Sequence, residues 1–190
     1  MLNNAIEFCK AWDMREGCSR FAEQHSSLSD FWQHCENLNW MVSLLDATKY
    51  QNANKLWELV HRVEDQTKDR DLEYEHHRWQ ANRDKYLNVL EGKQNESEFM
   101  SRNDLREQIS IYALVWAHYA ISVAIREIYS HTMWDAGISA ALQGKREEEI
   151  QRISKAAAND AATNSYKMLA DLLREVCGNP FSPRHPDDFQ

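Results

Sequence analysis

The stretch Ile111–Ile125, IYALVWAHYAISVAI, contains only two polar side chains, His118 and Ser122. A segment this apolar must be covered by the rest of the chain or by lipid. Leu105, Ile109, Tyr112, Trp116, Tyr119 and Val123 recur at steps of three and four, which is helical spacing. Ile111, Leu114, Val115, Ile121, Ile125 and Ile128 fill the other side, and a helix apolar all round reads as buried. Ser101-Arg102-Asn103-Asp104 has the spacing of a capping box, so the helix is expected over about Asp104–Tyr129. Those 26 residues would reach about 39 Å. Arg106, Glu107, Arg126 and Glu127 bracket the run too closely for a membrane span, so no membrane role is expected.

Ala113, Ala117, Ala120 and Ala124 add a small-residue stripe, along which a second helix backbone can approach closely. The expected mate is Lys145–Cys177, where Ala156-Ala157-Ala158 and Ala161-Ala162 offer matching small residues. Glu147, Glu148 and Glu149 suit the first turn of that helix, Gly178 suits its stop, and Pro180 bars continuation. Ser130–Thr132 is expected to bend the chain before a separate piece over Met133–Gln143, closed by Gly144.

Short helices are expected ahead of these: Leu2–Trp12, about Met14–His25, Asp30–Cys35 capped by Ser29, and two amphipathic stretches marked by Leu38, Met41, Val42, Leu45 and by Leu56, Leu59, Val60, Val63. Strand-like alternation is nearly absent, and five Gly and three Pro are few. The expected fold is all-α: a single-domain bundle of about seven to nine helices over residues 1–181, built around two long Ala-rich helices at about 104–129 and 145–177. Residues 64–100 read as a charged, partly exposed helix (Leu72, Trp79, Tyr86, Leu87 and Leu90 touching the core) followed by a loop at Gly92–Glu98, and 182–190 as a tail.

The formal net charge is −8, which disfavours non-specific nucleic-acid binding. Cys9, Cys18, Cys35 and Cys177 lack paired metal spacing, and the start of the chain lacks a signal-peptide pattern, so reduced thiols and a cytoplasmic location are expected. No phosphate-binding loop and no serine-hydrolase elbow occurs.

The closing run Leu172-Leu173-Arg174-Glu175-Val176-Cys177-Gly178-Asn179-Pro180-Phe181-Ser182-Pro183 resembles the C-terminal signature of uncharacterised bacterial and phage helical proteins. Phe21-Ala22-Glu23-Gln24-His25, Ser27-Leu28, Asp30, Trp32, Cys35 and Asn39-Trp40-Met41 resemble the front of the same group. The Ala-rich helices between are similar in kind to immunity proteins of bacterial toxin systems. The resemblance implies an all-helical fold and a role in neutralising a partner, and it carries no catalytic residues.

Three constellations compete with that reading. Arg126-Glu-Ile-Tyr-Ser-His131 resembles the motif of HEPN ribonucleases, in which Arg stabilises charge and His moves a proton. Glu127 departs from the usual pattern, and Arg20/His25 and Arg70 with His76 or His77 share the loose spacing, so a solvated helix end is the plainer account. Glu73 and His77, with His76 and His61, could face a metal at i, i+4, yet no third ligand is placed by spacing, and no metal site is expected. His118 reads either as a core histidine or as a lining residue of an interhelical pocket with Tyr112, Trp116 and Tyr119. The thiols read as small buried apolar groups.

The expectation for function is a non-enzymatic, acidic interaction protein, of immunity or counter-defence type, that masks a protein partner. Charge complementarity suits a partner with a basic, nucleic-acid-handling site, and Glu64, Asp65, Asp69, Asp71, Glu73, Glu75 and Trp79 are its expected contact face. The alternatives are a ribonuclease using Arg126 and His131, also as a homo-oligomer, and a small-ligand sponge using the aromatic pocket. No cofactor is expected.

Overall fold

The computed structural model describes residues 4–12, 16–50, 52–67, 84, 88 and 102–181, with side chains through Val63 in the third of these stretches and from Glu107 in the last. Among the described residues there are seven longer helices and no strand: α1 (Ala5–Ala11), α2 (Glu16–Gln24), α3 (Leu28–His34), α4 (Leu38–Ala47), α5 (Ala53–Thr67), α6 (Arg102–Leu142) and α7 (Glu147–Cys177). The fold is all-α, and its two long helices pack together as an antiparallel pair.

The first five helices are too short to hold themselves in water. Each of four begins at a polar residue that satisfies a free amide of its first turn. Asn4 accepts from the Glu7 amide at 2.9 Å, Ser27 from Asp30 at 3.0 Å, Asn37 from Trp40 at 3.3 Å and Asn52 from Lys55 at 3.2 Å. Ser27, not Ser29, caps α3; the Ser29 hydroxyl instead accepts from Asn179 Nδ2 at 2.8 Å. Phe8, Phe31, Trp32, Leu38, Met41, Leu44, Leu45, Leu56 and Leu59 are fully buried, and one continuous core cluster draws residues from all seven helices.

α6 runs 41 residues, about 60 Å, without the bend expected at Ser130–Thr132. Ser, His and Thr cost only a few tenths of a kcal/mol each inside a helix, and no proline interrupts the segment. The expectation that α6 is buried all round also fails. Ala113, Ala117, Ala120 and Ala124 are at most 1% exposed, but Ile111, Val115 and Tyr119 are 44%, 56% and 46% exposed. The reason is geometric: α4, α5 and α7 contact α6, and no other described helix closes around its outer side. Glu107–Leu142 is long and apolar enough to cross a bilayer by length and composition, yet 56% of its most apolar window is buried against the bundle, as in a core helix.

A Cβ built on Gly137 would stand 3.0 Å from Ser154 Oγ and 4.0 Å from Ile150 Cγ2, so the two backbones are close at this point. Counting outward along the pair from those two contacts places Ala124 level with residues 163–167 and Ala117 level with residues 170–174. The alanine stripe of α6 therefore lies level with the part of α7 that buries Ser165, Leu169, Leu172 and Val176. Of the alanines at 156–162, Ala158 is buried, Ala157, Ala161 and Ala162 are half-buried and Ala156 is exposed. The α6–α7 turn is a Schellman motif: Gly144 (φ +71°) donates to Ala141 O at 2.9 Å and Lys145 to Ala140 O at 3.2 Å.

The closing segment locks the short helices to α7. Arg174 reaches across to α3, donating Nε to Trp32 O at 3.1 Å and Nη2 to Cys35 O. Trp32 Nε1 donates to Gly178 O at 2.9 Å, the Phe181 ring meets Trp32 edge-on at 6.0 Å, and Tyr50 donates to Cys177 O. Gly178 ends α7 at φ +67°, a conformation that disfavours any residue with a Cβ.

Two stability effects are expected. Arg174→Ala leaves the carbonyls at the end of α3 without their cationic donor and should lower the unfolding free energy by about 2–3 kcal/mol, read by urea denaturation. Arg174→Lys should recover only part, because an ammonium lacks the planar fork. α4 closes in the same Schellman geometry as α6, but Lys49 occupies the left-handed position at φ +51°. Lys49→Gly should raise stability by up to about 1 kcal/mol, since the exposed Lys49–Glu107 pair it sacrifices contributes little.

Candidate functional site

The polar cluster with the clearest chemistry joins the end of α2 to α3. α2 ends at Gln24, Ser27 caps α3, and the tight connection folds His25 back over the first turn of α3. Asp30 and His34 lie four apart on α3 and so share a face. His25 Nδ1 lies 2.9 Å from Asp30 Oδ2, and His34 Nδ1 lies 3.0 Å from Asp30 Oδ1. The two imidazoles stack at 4.7 Å with 14° between their planes, and Phe21 supports His25 from a ring distance of 4.5 Å. The hydrogen bond from His25 holds the Asp30 carboxyl below its usual value, with the charge of both histidines adding to it. One donor atom from each of the three residues falls within 4.8 Å of the others. His25 is mostly covered, and His34 is largely open, with 58% of its side chain exposed. Two imidazoles and a carboxylate in such reach are a donor set for a divalent metal.

His25-x4-Asp30-x3-His34 carries half a signal, because Asp30 and His34 have helical spacing. His25 joins them only through the turn that Ser27 sets.

The residues expected to act lie elsewhere. Asp69, Asp71, Glu73, Glu75, Trp79, His76 and His77 fall outside the described residues, as do the loop at Gly92–Glu98 and the tail from 182. Glu64 and Asp65 are on the last turns of α5, with their side chains outside the described set. His118 is exposed rather than a core histidine, as are Tyr112 and Tyr119, while Trp116 is buried and meets Tyr119 edge-on at 5.1 Å. Arg126 and His131 are both exposed and both turn to Glu127: Arg126 Nε is 3.8 Å and His131 Nε2 3.4 Å from its carboxylate.

A groove of about 470 Å³ does open between α5 and α7, lined by Arg62, Asn164, Lys167, Met168, Asp171, Leu172 and Glu175. It is charged rather than aromatic. Arg62 donates to Glu175 at 2.9 Å, which raises the Arg62 pKa and lowers that of Glu175. The thiols are buried and kept protonated: burial pushes Cys35 up to about 12 and Cys177 up to about 11, and raises Cys9 and Cys18 as well. Since the thiolate is the nucleophile, none is poised to attack at neutral pH.

No family model, no curated protein and no solved structure matches this chain.

The Glu175 pair has a testable pH signature. A carboxyl whose folded pKa is depressed contributes stability that is present above its unfolded value, near 4.5, and is lost as the pH falls through the folded value. The stability difference between wild type and Glu175→Gln should therefore be constant at neutral pH and vanish on acidification below about 4.5, as followed by thermal melts across a pH series.

Proposed function

We propose that this chain is a non-enzymatic interaction protein that masks a surface of a protein partner, in the manner of an immunity or counter-defence protein. The observation that carries the reading is the far half of the α6–α7 pair. Beyond Ala124, among the described residues, those buried between the two helices are the small Ala140, Ser154 and Ala158. Their outer side presents Trp134 at 71% and Leu142 at 84% exposure, with Met133 and Ile138 alongside. Trp134, Ile138 and Leu142 recur every four residues, so they form one stripe on the outer helix face. Large apolar side chains held in water on a rigid arm cost free energy that a partner's apolar surface would recover.

The partner is a protein that presents an apolar surface beside a basic, nucleic-acid-handling site. The net charge of −8 supports that choice, since complementary potential raises the association rate and disfavours nucleic acid itself as ligand. The acidic run from Glu64 to Glu75 is the proposed steering surface, and Trp134 and Leu142 are the proposed anchors. The exposed, Glu127-bound state of Arg126 and His131 gives the ribonuclease reading no comparable support.

The test is capture of a partner by the intact chain, followed by assay of the purified partner's own activity with the chain added. Trp134→Ala/Leu142→Ser should weaken capture by about 100-fold or more, as expected for central anchors, with the helical circular-dichroism signal unchanged. Reversing three acids between Glu64 and Glu75 should slow association at low salt and little at high salt. RNA cleavage by the wild type that is abolished in His131→Ala would overturn the proposal, as would capture indifferent to both sets of changes.

A further inference from the structure

We infer that His25, Asp30 and His34 form a binding site for one divalent transition-metal ion of the zinc class. Four observations converge on this cluster rather than on any other group of titratable residues described. The first is composition: two neutral imidazoles with one carboxylate suit borderline cations such as Zn²⁺, Co²⁺ and Ni²⁺, whereas Ca²⁺ and Mg²⁺ prefer all-oxygen sites. The second is spacing. His25 Nδ1 and His34 Nδ1 stand 2.9 Å and 3.0 Å from the Asp30 oxygens, and all three donor atoms fall within 4.8 Å. Ligand atoms around a tetrahedral ion with bonds of about 2.0–2.1 Å are separated by about 3.3 Å. The Asp30–imidazole distances therefore need to open by only a few tenths of an ångström, while the stacked rings turn about χ2 to aim at a common point.

The third observation is the frame. α3 is anchored through its Trp32 and Cys35 carbonyls to Arg174 and through the Trp32 indole to Gly178 O, while Phe21 backs the His25 ring. Donors on an anchored helix and a capped turn lose little freedom when an ion arrives. The fourth is access. His34 and Asp30 are 58% and 43% exposed on their side chains, so an ion can enter, and three protein ligands leave a fourth position for water or for a donor from a partner. Without the ion, the same three groups form a clasp in which His25 Nδ1 bonds the Asp30 carboxylate and His34 Nδ1 lies 3.0 Å from both the Asp30 carbonyl and its carboxylate.

The site is separate from the arm proposed above to hold a partner, so either assignment can fail alone. The experiment uses the full chain, purified without a histidine tag, stripped with a chelator and titrated with Zn²⁺ by calorimetry and with Co²⁺ by visible absorption. One equivalent should bind, and the Co²⁺ spectrum should show ligand-field bands without thiolate charge transfer. His34→Ala, at an exposed position, and Asp30→Asn, which keeps the residue's size, should each weaken Zn²⁺ by at least about tenfold with the helical circular-dichroism signal unchanged, and His118→Ala should not. Absence of binding by the wild type would overturn the assignment. So would affinity unchanged in both variants, or a thiolate spectrum, which would move the ion to the cysteines.

Discussion

A helix of 41 residues is longer than the other described helices cover, and that mismatch shapes the molecule. The near half of α6 has α4, α5 and α7 to lie against, and its alanines let those neighbours come close. Among the described helices, the far half has mainly α7. There the contact is made by Gly137, Ala140, Ser154 and Ala158, residues too small to bury much apolar area, and the larger side chains are left on the outside. The arm is thus rigid, because both helices continue unbroken into the core, and sticky, because its outer stripe has no cover from the described helices.

The five short helices solve the opposite problem. Each is too brief to persist alone, so each has a cap at its start or a buried face against the long pair. The polar groups that bind them to α7 are concentrated in the last ten described residues. Arg174 satisfies carbonyls at the end of α3, where the backbone has no internal partner, and the Trp32 indole does the same for Gly178 O after α7. These bonds explain why a segment as irregular as Gly178–Phe181 holds a defined path. They also hold steady the helix that carries Asp30 and His34.

The arm and the histidine cluster suggest different chemistry at two places. One is apolar and extended, suited to contact with a large surface. The other is polar and compact, suited to a single ion. The thiols take no part in either, since burial keeps them protonated and the four lie within the core.

Periodicity and composition carried the all-α class, the long central and final helices, the glycine stop at Gly178 and the amphipathic stretches that became α4 and α5. These are local properties: hydrophobic spacing selects a helix, and glycine frees a positive φ, whatever surrounds them. Tertiary structure alone decided which side of α6 met water, because burial depends on how many neighbours arrive and not on how apolar the helix is. It moved His118 from core to surface and set the alanine stripe level with Ser165–Val176 rather than Ala156–Ala162, since register is set by where the connecting turn falls. It also brought His25 to Asp30 and His34, because a turn and not a repeat joins them.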